Sequence, residues 1–578
     1  MSRNLTIVFA FVLLLRLPFL NQAIQGDDPY YLSGAQHALI DPLHPSHARY
    51  IFQGDLVDMR GHPHPTLNAW VLAGLLAIFG DVYEIPFHAA YIVFSLIAAA
   101  AMWFLARRFS PDPLWATLLF LSFPAFVVNG TSLEADLPFL GFWMAGIAFF
   151  VSGRYAWSVA ALALAGLTAY QAIVATPILW AYCWMYQRKS KLAWAVAMTP
   201  LAAVISYQLF ERMTSGALPA AVLAGYFESY GLQRLIRKLE NAAALLAHLS
   251  WMALPVLLFC KRPRWIAEAR FLYLWIAIFF SAALAIFFAG SARYLLPLAA
   301  PLAIVLSHWA GRHRWYPIAL HTGVSLCLAL VNYQHWDGYR QFAQSIAKEL
   351  DSKRVWVNGE WGLRFYLEAR GALPLAKSQL VQPGDWIVST ALGYPQRVNA
   401  PQAKVEERAI TSALPLRLIG LHSRSGYSSA SMGLLPFDAT RHPIDLVRID
   451  AVLERKPALS YVPMSAPDAS LQIVSGIYDL EERWRWMSGK AVLLLKPPSG
   501  PGPLEVELAI PEQSPARLVT LLLDGVEVHR HELTGPGRLT LKTVPVQGST
   551  LTIQLDKSFA VAGDHRELGA ILVGAGFR

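Results

Sequence analysis

Two adjacent acids, Asp27 and Asp28, stand just past the first apolar run, in QAIQGDDPYYLSGAQHALIDP over residues 22–42, with Tyr30 and Tyr31 close behind. Glu134 and Asp136 occur in NGTSLEAD over 129–136, where another apolar run begins. Carboxylates beside bilayer-buried helices are costly unless they are hydrated, paired or used, and no equal number of bases stands near these. Such a carboxylate can take the proton of an acceptor hydroxyl or amine, while Arg or Lys can hold a phosphate leaving group. Candidates for the second task are Arg293, with Tyr294, at the head of SARYLLPLAAPLA, and Arg234, Arg237 and Lys238 in YGLQRLIRKLEN over 230–241. Plainer duties compete: Asp136 can cap the helix that starts on it, and a lone Arg at the mouth of a span snorkels to a headgroup. His62 and His64, in GHPHP, could share a metal with a nearby acid, or bond to backbone and interfacial water.

The elements that must position these groups are membrane spans. Of 578 residues 55% are hydrophobic and only 15% charged, too apolar for a soluble chain of this length, and the apolar residues group into runs long enough to cross a bilayer. Candidate spans cover 5–22, 86–106, 112–129, 137–152, 155–170, 172–186, 192–209, 243–259, 271–289, 291–308 and 315–332. The first reads as an uncleaved helix, because Arg16 and Pro18 interrupt it and further spans follow. TLNAWVLAGLLAIFG, 66–80, is short for a crossing. If it lies at the surface or re-enters, RR at 107–108, QRKSK at 187–191, KRPR at 261–264 and GRHR at 311–314 all face the cytoplasm. Eleven spans then carry the acids and everything after about 333 to the outer side. The net charge of +9 thus reports topology. No basic stripe with interleaved aromatics suggests nucleic acid. Cys183, Cys260 and Cys327 lie in or beside apolar segments, so the polar regions hold no disulfide framework and no Cys-based zinc site.

The expected fold is a mainly α polytopic membrane core over 1–332, an extracytoplasmic α/β region over 333–500, and a small β-sandwich-like unit over 501–578. KRVWVNGEWGLRFYLEARGALPL reads as strand, turn and amphipathic helix, and QPGDWIVST as turn and strand. Beyond the Pro/Gly punctuation KPPSGPGP, 496–503, LEVELAI, ARLVTLLLDG, GRLTLKTVPV and STLTIQL read as antiparallel strands. The aromatics of EWGLRFYLEARG, spaced among Arg364, Glu368 and Arg370, suit either a sugar-holding surface or a domain core.

Over residues 1 to about 330, GDDPYYLSGAQ, HPHPTLNAW, LARRF, TSLEADLPFLGFWMAG, GLTAYQAIVATP and SARYLLPLAAPLA, in that order, resemble the ArnT/protein O-mannosyltransferase branch of the GT-C integral membrane glycosyltransferases. The resemblance implies transfer of a sugar from a polyprenyl-phosphate donor to an extracytoplasmic protein, glycolipid or polysaccharide. Asp27 resembles the essential first carboxylate and Asp136 the acid of the second outer loop. Asp28 stands where Glu is usual, so a role that needs the longer side chain, such as metal ligation, does not carry over. With Asp27, Asp28 and Asp136 as the catalytic acids, Arg293, Arg234, Arg237 and Lys238 are expected to hold the donor phosphate. Tyr31, His62, His64, Glu134 and Tyr294 are expected to support acceptor or site. No cofactor is assigned, and a divalent cation is left open. Expected partners are the lipid-linked donor, the acceptor and membrane lipids, in a bacterial inner membrane with the site facing outward. Competing classes are a transporter or flippase-like carrier and a non-catalytic glycan-binding scaffold. Acids gathered at one face, spans mostly free of acids and the lack of an internal repeat argue against the transporter.

Overall fold

The computed structural model describes residues 3–578 apart from 230, 232, 233, 260–265, 267, 268, 287, 288, 378, 467 and 562–565. The KRPR cluster and Cys260 fall outside the described residues. Among the described residues four helices are long and apolar enough to cross a membrane: Glu84–Phe109, Lys191–Ser215, Leu235–Phe259 and Trp315–Ser345. Six shorter apolar helices pack with them, among them Leu67–Phe79, Asp136–Val151 and Arg270–Ile286. This is a mainly α multi-pass membrane protein with a β-rich C-terminal region. The segment expected to be too short for a crossing is a 13-residue helix, Leu67–Phe79, ended by Gly80 in the left-handed region.

Several expected spans are broken, and prolines and buried polar groups account for the breaks. The run 112–129 divides into Pro113–Ser122 and Pro124–Asn129, because Pro124 has no N–H to continue the ladder. The carbonyls of the short second piece that no intrahelical N–H reaches receive Arg16. Its Nη2 donates to Phe126 O at 2.7 Å, Nη1 to Val127 O at 2.9 Å, and Nε to Ser95 Oγ at 3.0 Å. The arginine that interrupts the first apolar run is therefore fully engaged inside the bundle. A side chain at Gly130 would collide with this guanidinium.

The 26-residue helix Glu84–Phe109 spans about 39 Å at 1.5 Å per residue and separates two ends of the molecule. At one end Glu84 accepts from Tyr366 of the C-terminal region at 2.8 Å and from Arg340 at 3.2 Å. At the other, after Arg107 and Arg108, Ser110 meets Ser307 at 2.7 Å, Trp115 Nε1 donates to Arg314 O at 2.6 Å, and Arg314 pairs with Asp112 at 2.6 Å. The RR and GRHR clusters thus share the end opposite the C-terminal region.

Helix Trp315–Ser345 runs without interruption past 332 and delivers the chain to a five-stranded mixed sheet. Its order is Leu373–Pro374, Val355–Asn358, Trp386–Thr390, Asp445–Val452, Gln402–Ile410, and the first three are parallel. Helix Trp361–Glu368 makes the crossover. The hydrophobic core of this α/β unit is continuous with that of the membrane bundle. The final sheet is nine-stranded, and its core is separate. It takes Tyr461–Pro463, Ile473–Glu481 and Trp484–Leu494 as well as the strands from Gly502 onward, so the boundary expected at 500 falls inside it. The reason is pairing: Trp484–Leu494 lies against both Thr550–Leu555 and Ile571–Phe577. The two ends of the strand path, Val526–Leu533 and Gly537–Val546, are joined through 534–536 alone, which obliges the sheet to curl towards a barrel where two layers were expected.

Candidate functional site

Gly290, at φ +60°, turns the chain into a short helical turn, Ala292–Leu295, whose start is held by Ser291 Oγ accepting from Arg293 N at 3.3 Å. Pro297 then opens helix Leu296–Ser307. This turn presents Arg293 to three acids. Its Nη2 donates to Asp27 Oδ2 at 3.0 Å, its Nη1 donates to Glu134, and Asp136 Oδ2 lies 3.8 Å from the same Nη1. Asp27 N also donates to Glu134 Oε1 at 3.4 Å. Burial pushes the Glu134 carboxyl up while Arg293 pulls it down, and the balance is upward.

The two aspartates of the first loop separate in role. Asp28 is fully buried, and each of its oxygens accepts a backbone N–H: Oδ1 from Leu133 at 2.8 Å and Oδ2 from Gln25 at 3.0 Å. It ties the first outer loop to the loop carrying Glu134, and burial raises its carboxyl to about 8. Asp136 does not cap its helix. Ala135 is the N-cap residue of Asp136–Val151, no side chain caps it, and neither Asp136 oxygen has a hydrogen-bond partner among the described residues. Its nearest cation is Arg293.

These groups border a cavity of about 430 Å³. Asp27, Glu134 and Arg293 line it, and so do Tyr31, His62, His64 and Tyr294. Tyr31 packs edge-on against His62 at 5.0 Å and against His64 at 5.7 Å, and His64 Nδ1 lies 3.3 Å from Thr168 O. Burial pushes both imidazoles down to about 3, with each also disfavoured by a nearby charge or ring; both are neutral. Burial pushes the Tyr31 hydroxyl up. Of the expected basic cluster, Arg237 reaches the cavity, paired there with Glu240 at 3.0 Å. Lys238 donates to Ala285 O at 3.0 Å, and Arg234 is exposed; neither lines the cavity.

The cavity is also lined by Trp361, one of the aromatics of EWGLRFYLEARG, and by Trp336, Tyr394 and a serine-rich run that the sequence reading left out. Trp336 and Trp361 meet edge to face at 6.0 Å, Tyr394 stands 5.4 Å from Trp361, and Ser428, Ser429 and Ser431 complete the rim. Trp361 therefore faces the cavity, while Arg364 from the same helix lies over Tyr50 at 4.0 Å and pairs with Glu360 and Glu368. The Ser/Gly-rich run SGYSSASMG, 425–433, was the available signal, but its place over the cavity is set by contacts remote in sequence.

A cation has a candidate site away from His62 and His64. Among the described residues Asp41, His44 and His47 offer ligand atoms within 4.8 Å of one another, and His47 Nε2 lies 3.0 Å from the buried Glu211. The His44 and His47 rings are stacked at 4.6 Å and 21°, so as they stand their in-plane lone pairs do not converge.

No family model matches the chain, and no curated protein matches it. Among solved structures it is similar to ArnT from Cupriavidus metallidurans bound to undecaprenyl phosphate, at 13% identity over 67% of this chain and 93% of that one, with a TM-score of 0.45. It is similar to the Saccharomyces cerevisiae protein O-mannosyltransferase Pmt1-Pmt2 complex at 14% identity over 39% of this chain and 33% of that one, with a TM-score of 0.28. The arabinofuranosyltransferase AftD from Mycobacteria matches at 10% identity over all of this chain and 58% of that one, with a TM-score of 0.37.

Proposed function

We propose that this chain is an integral-membrane glycosyltransferase that moves a sugar from a polyprenyl-phosphate donor to an extracytoplasmic acceptor. The observation that carries the reading is one buried guanidinium, Arg293, shared by Asp27, Glu134 and Asp136 on the wall of a cavity large enough for a sugar. A single displacement at the anomeric carbon needs an anion-binding group on the leaving side and a proton acceptor on the attacking side. Arg293, with Arg237 at the rim, meets the first requirement and Asp27 the second.

In this reading the donor phosphate engages Arg293 and loosens its hold on Asp27. The acceptor hydroxyl or amine loses its proton to the Asp27 carboxylate as its heteroatom bonds to the anomeric carbon. The bond from that carbon to the phosphate oxygen breaks, and the phosphate leaves with the electron pair into the field of Arg293. Asp28 contributes by holding the loop of Glu134, not by touching substrate. The aromatic wall of Trp336, Trp361 and Tyr394 suits the apolar face of a sugar ring. No step requires a metal. The site faces outward, consistent with the RR and GRHR clusters at the opposite end.

The test uses the full chain in nanodiscs with labelled polyprenyl-phosphate sugars. Transfer to an acceptor or to water, lost in Asp27→Asn, supports the reading; no transfer from any such donor by the native chain overturns it. Mass analysis of surface glycolipids, polymers and proteins with and without the chain then names sugar and acceptor.

A further inference from the structure

Tyr427, in the α/β region, is hydrogen-bonded to the two segments that lead to Arg293 and to the Glu134 loop. Its backbone carbonyl accepts from Ala292 N at 3.0 Å and from Ser291 Oγ at 3.2 Å, the two residues that precede Arg293. Its hydroxyl donates to Pro124 O at 3.0 Å, at the start of the short helix Pro124–Asn129 that leads into the Glu134 loop. Three residues on, Ala430 N donates to Ala289 O at 2.6 Å. A Cβ on Gly290 would sit 3.0 Å from the Ala430 side chain and 3.1 Å from the Asn241 backbone. Tyr427 is 3% exposed. The segment 425–433 is thus hydrogen-bonded along the turn that presents Arg293, while its tyrosine spans to the element that presents the acids.

We propose that Tyr427 is a positioning residue that fixes the Arg293 guanidinium relative to Glu134 and Asp27, so that the extracytoplasmic region completes the donor-phosphate site. This rests on the reading of Arg293 as the phosphate-binding group. It makes the region part of the donor half of the reaction. A guanidinium displaced by an ångström loses much of a directional phosphate contact, so errors in the Tyr427 brace reach donor affinity before they reach acceptor affinity.

The experiment measures undecaprenyl phosphate binding to the full chain in nanodiscs by native mass spectrometry, with thermal unfolding recorded alongside. Tyr427→Phe removes the bond to Pro124 and keeps ring and carbonyl; Ser291→Ala removes the second bond to the carbonyl together with the bond that Ser291 Oγ accepts from Arg293 N. Tyr427→Phe is expected to weaken binding about threefold to tenfold, the effect of one lost buried hydrogen bond, and Ser291→Ala and Gly290→Ala more. Where a sugar donor is found, its KM rises and the acceptor KM does not. A purely structural role would lower the folded fraction and leave the affinity of the folded molecules unchanged. If Arg293→Met abolishes binding while Tyr427→Phe and Ser291→Ala bind as the native chain does, the inference is overturned. If Arg293→Met binds normally, it is the reading of Arg293 that fails.

Discussion

Arg293 and Asp27, 266 positions apart in the chain, are joined by an Nη2 to Oδ2 bond of 3.0 Å. A displacement needs these two groups on opposite faces of the sugar, so the donor phosphate must part the pair as it takes up Arg293. Asp27→Asn keeps the size and removes the charge. It is expected to lower transfer about 10²–10⁴-fold, the usual contribution of a positioned base, while donor binding changes little. Steady-state kinetics with donor and acceptor varied separately check this. Arg293→Met leaves Glu134 and Asp136 buried without their cation and is expected to destabilise the fold by about 3–5 kcal/mol, read by thermal unfolding.

Asp28→Asn sets an amide N–H₂ against one of the backbone N–H groups that Asp28 now accepts, from Gln25 and Leu133. The expected cost is about 1–3 kcal/mol. Transfer should fall in step with the folded fraction, with unchanged KM values in the remainder; a large loss of kcat in fully folded protein would place Asp28 in the chemistry itself.

His62 and His64 are held near 3 in the folded chain against an ordinary value of 6.5. Below about 6.5 the unfolded chain takes up protons that the folded site refuses, so their contribution to stability is present above that pH and is lost progressively as pH falls towards 3. Melting temperature should decline across this window, and the His62→Gln, His64→Gln double variant should decline less. Equal slopes would mean that the imidazoles are not buried neutral.

Truncation after residue 500 strips Trp484–Leu494 of two partner strands, Thr550–Leu555 and Ile571–Phe577, and is expected to cause aggregation. Truncation after residue 456 removes the whole nine-stranded sheet with its own core and leaves 425–433 in place. That shorter chain is expected to insert and bind undecaprenyl phosphate, and to lose processing of its native acceptor more than release of sugar to water.

A reporter fused after Ser110 should score as cytoplasmic and one after Ser352 as external, since these positions follow opposite ends of the bundle. The reverse result at either position overturns the orientation.

The membrane class, the approximate spans, and the identity of Asp27, Glu134, Asp136, Arg293, His62 and His64 as candidates were legible in the sequence. Apolar runs and charged groups at their ends are costly to misplace in a bilayer, so they mark position strongly. Arg16 was legible only as an interruption. That it is satisfied by the carbonyls of Phe126 and Val127 depends on a helix break more than a hundred residues away.

Hydropathy and charge act locally along the chain, so the membrane class and the apolar runs with the charged residues at their ends could be read from the sequence, while the breaks inside those runs could not. The fold alone sets which acids meet the arginine, that Asp28 braces a loop while Asp136 faces a cation instead of capping a helix, and that Trp336, Trp361 and Tyr394 line the cavity. These outcomes turn on side-chain directions and on hydrogen bonds a few ångströms long between segments 105 to 303 residues apart, distances that no local pattern of residue types encodes.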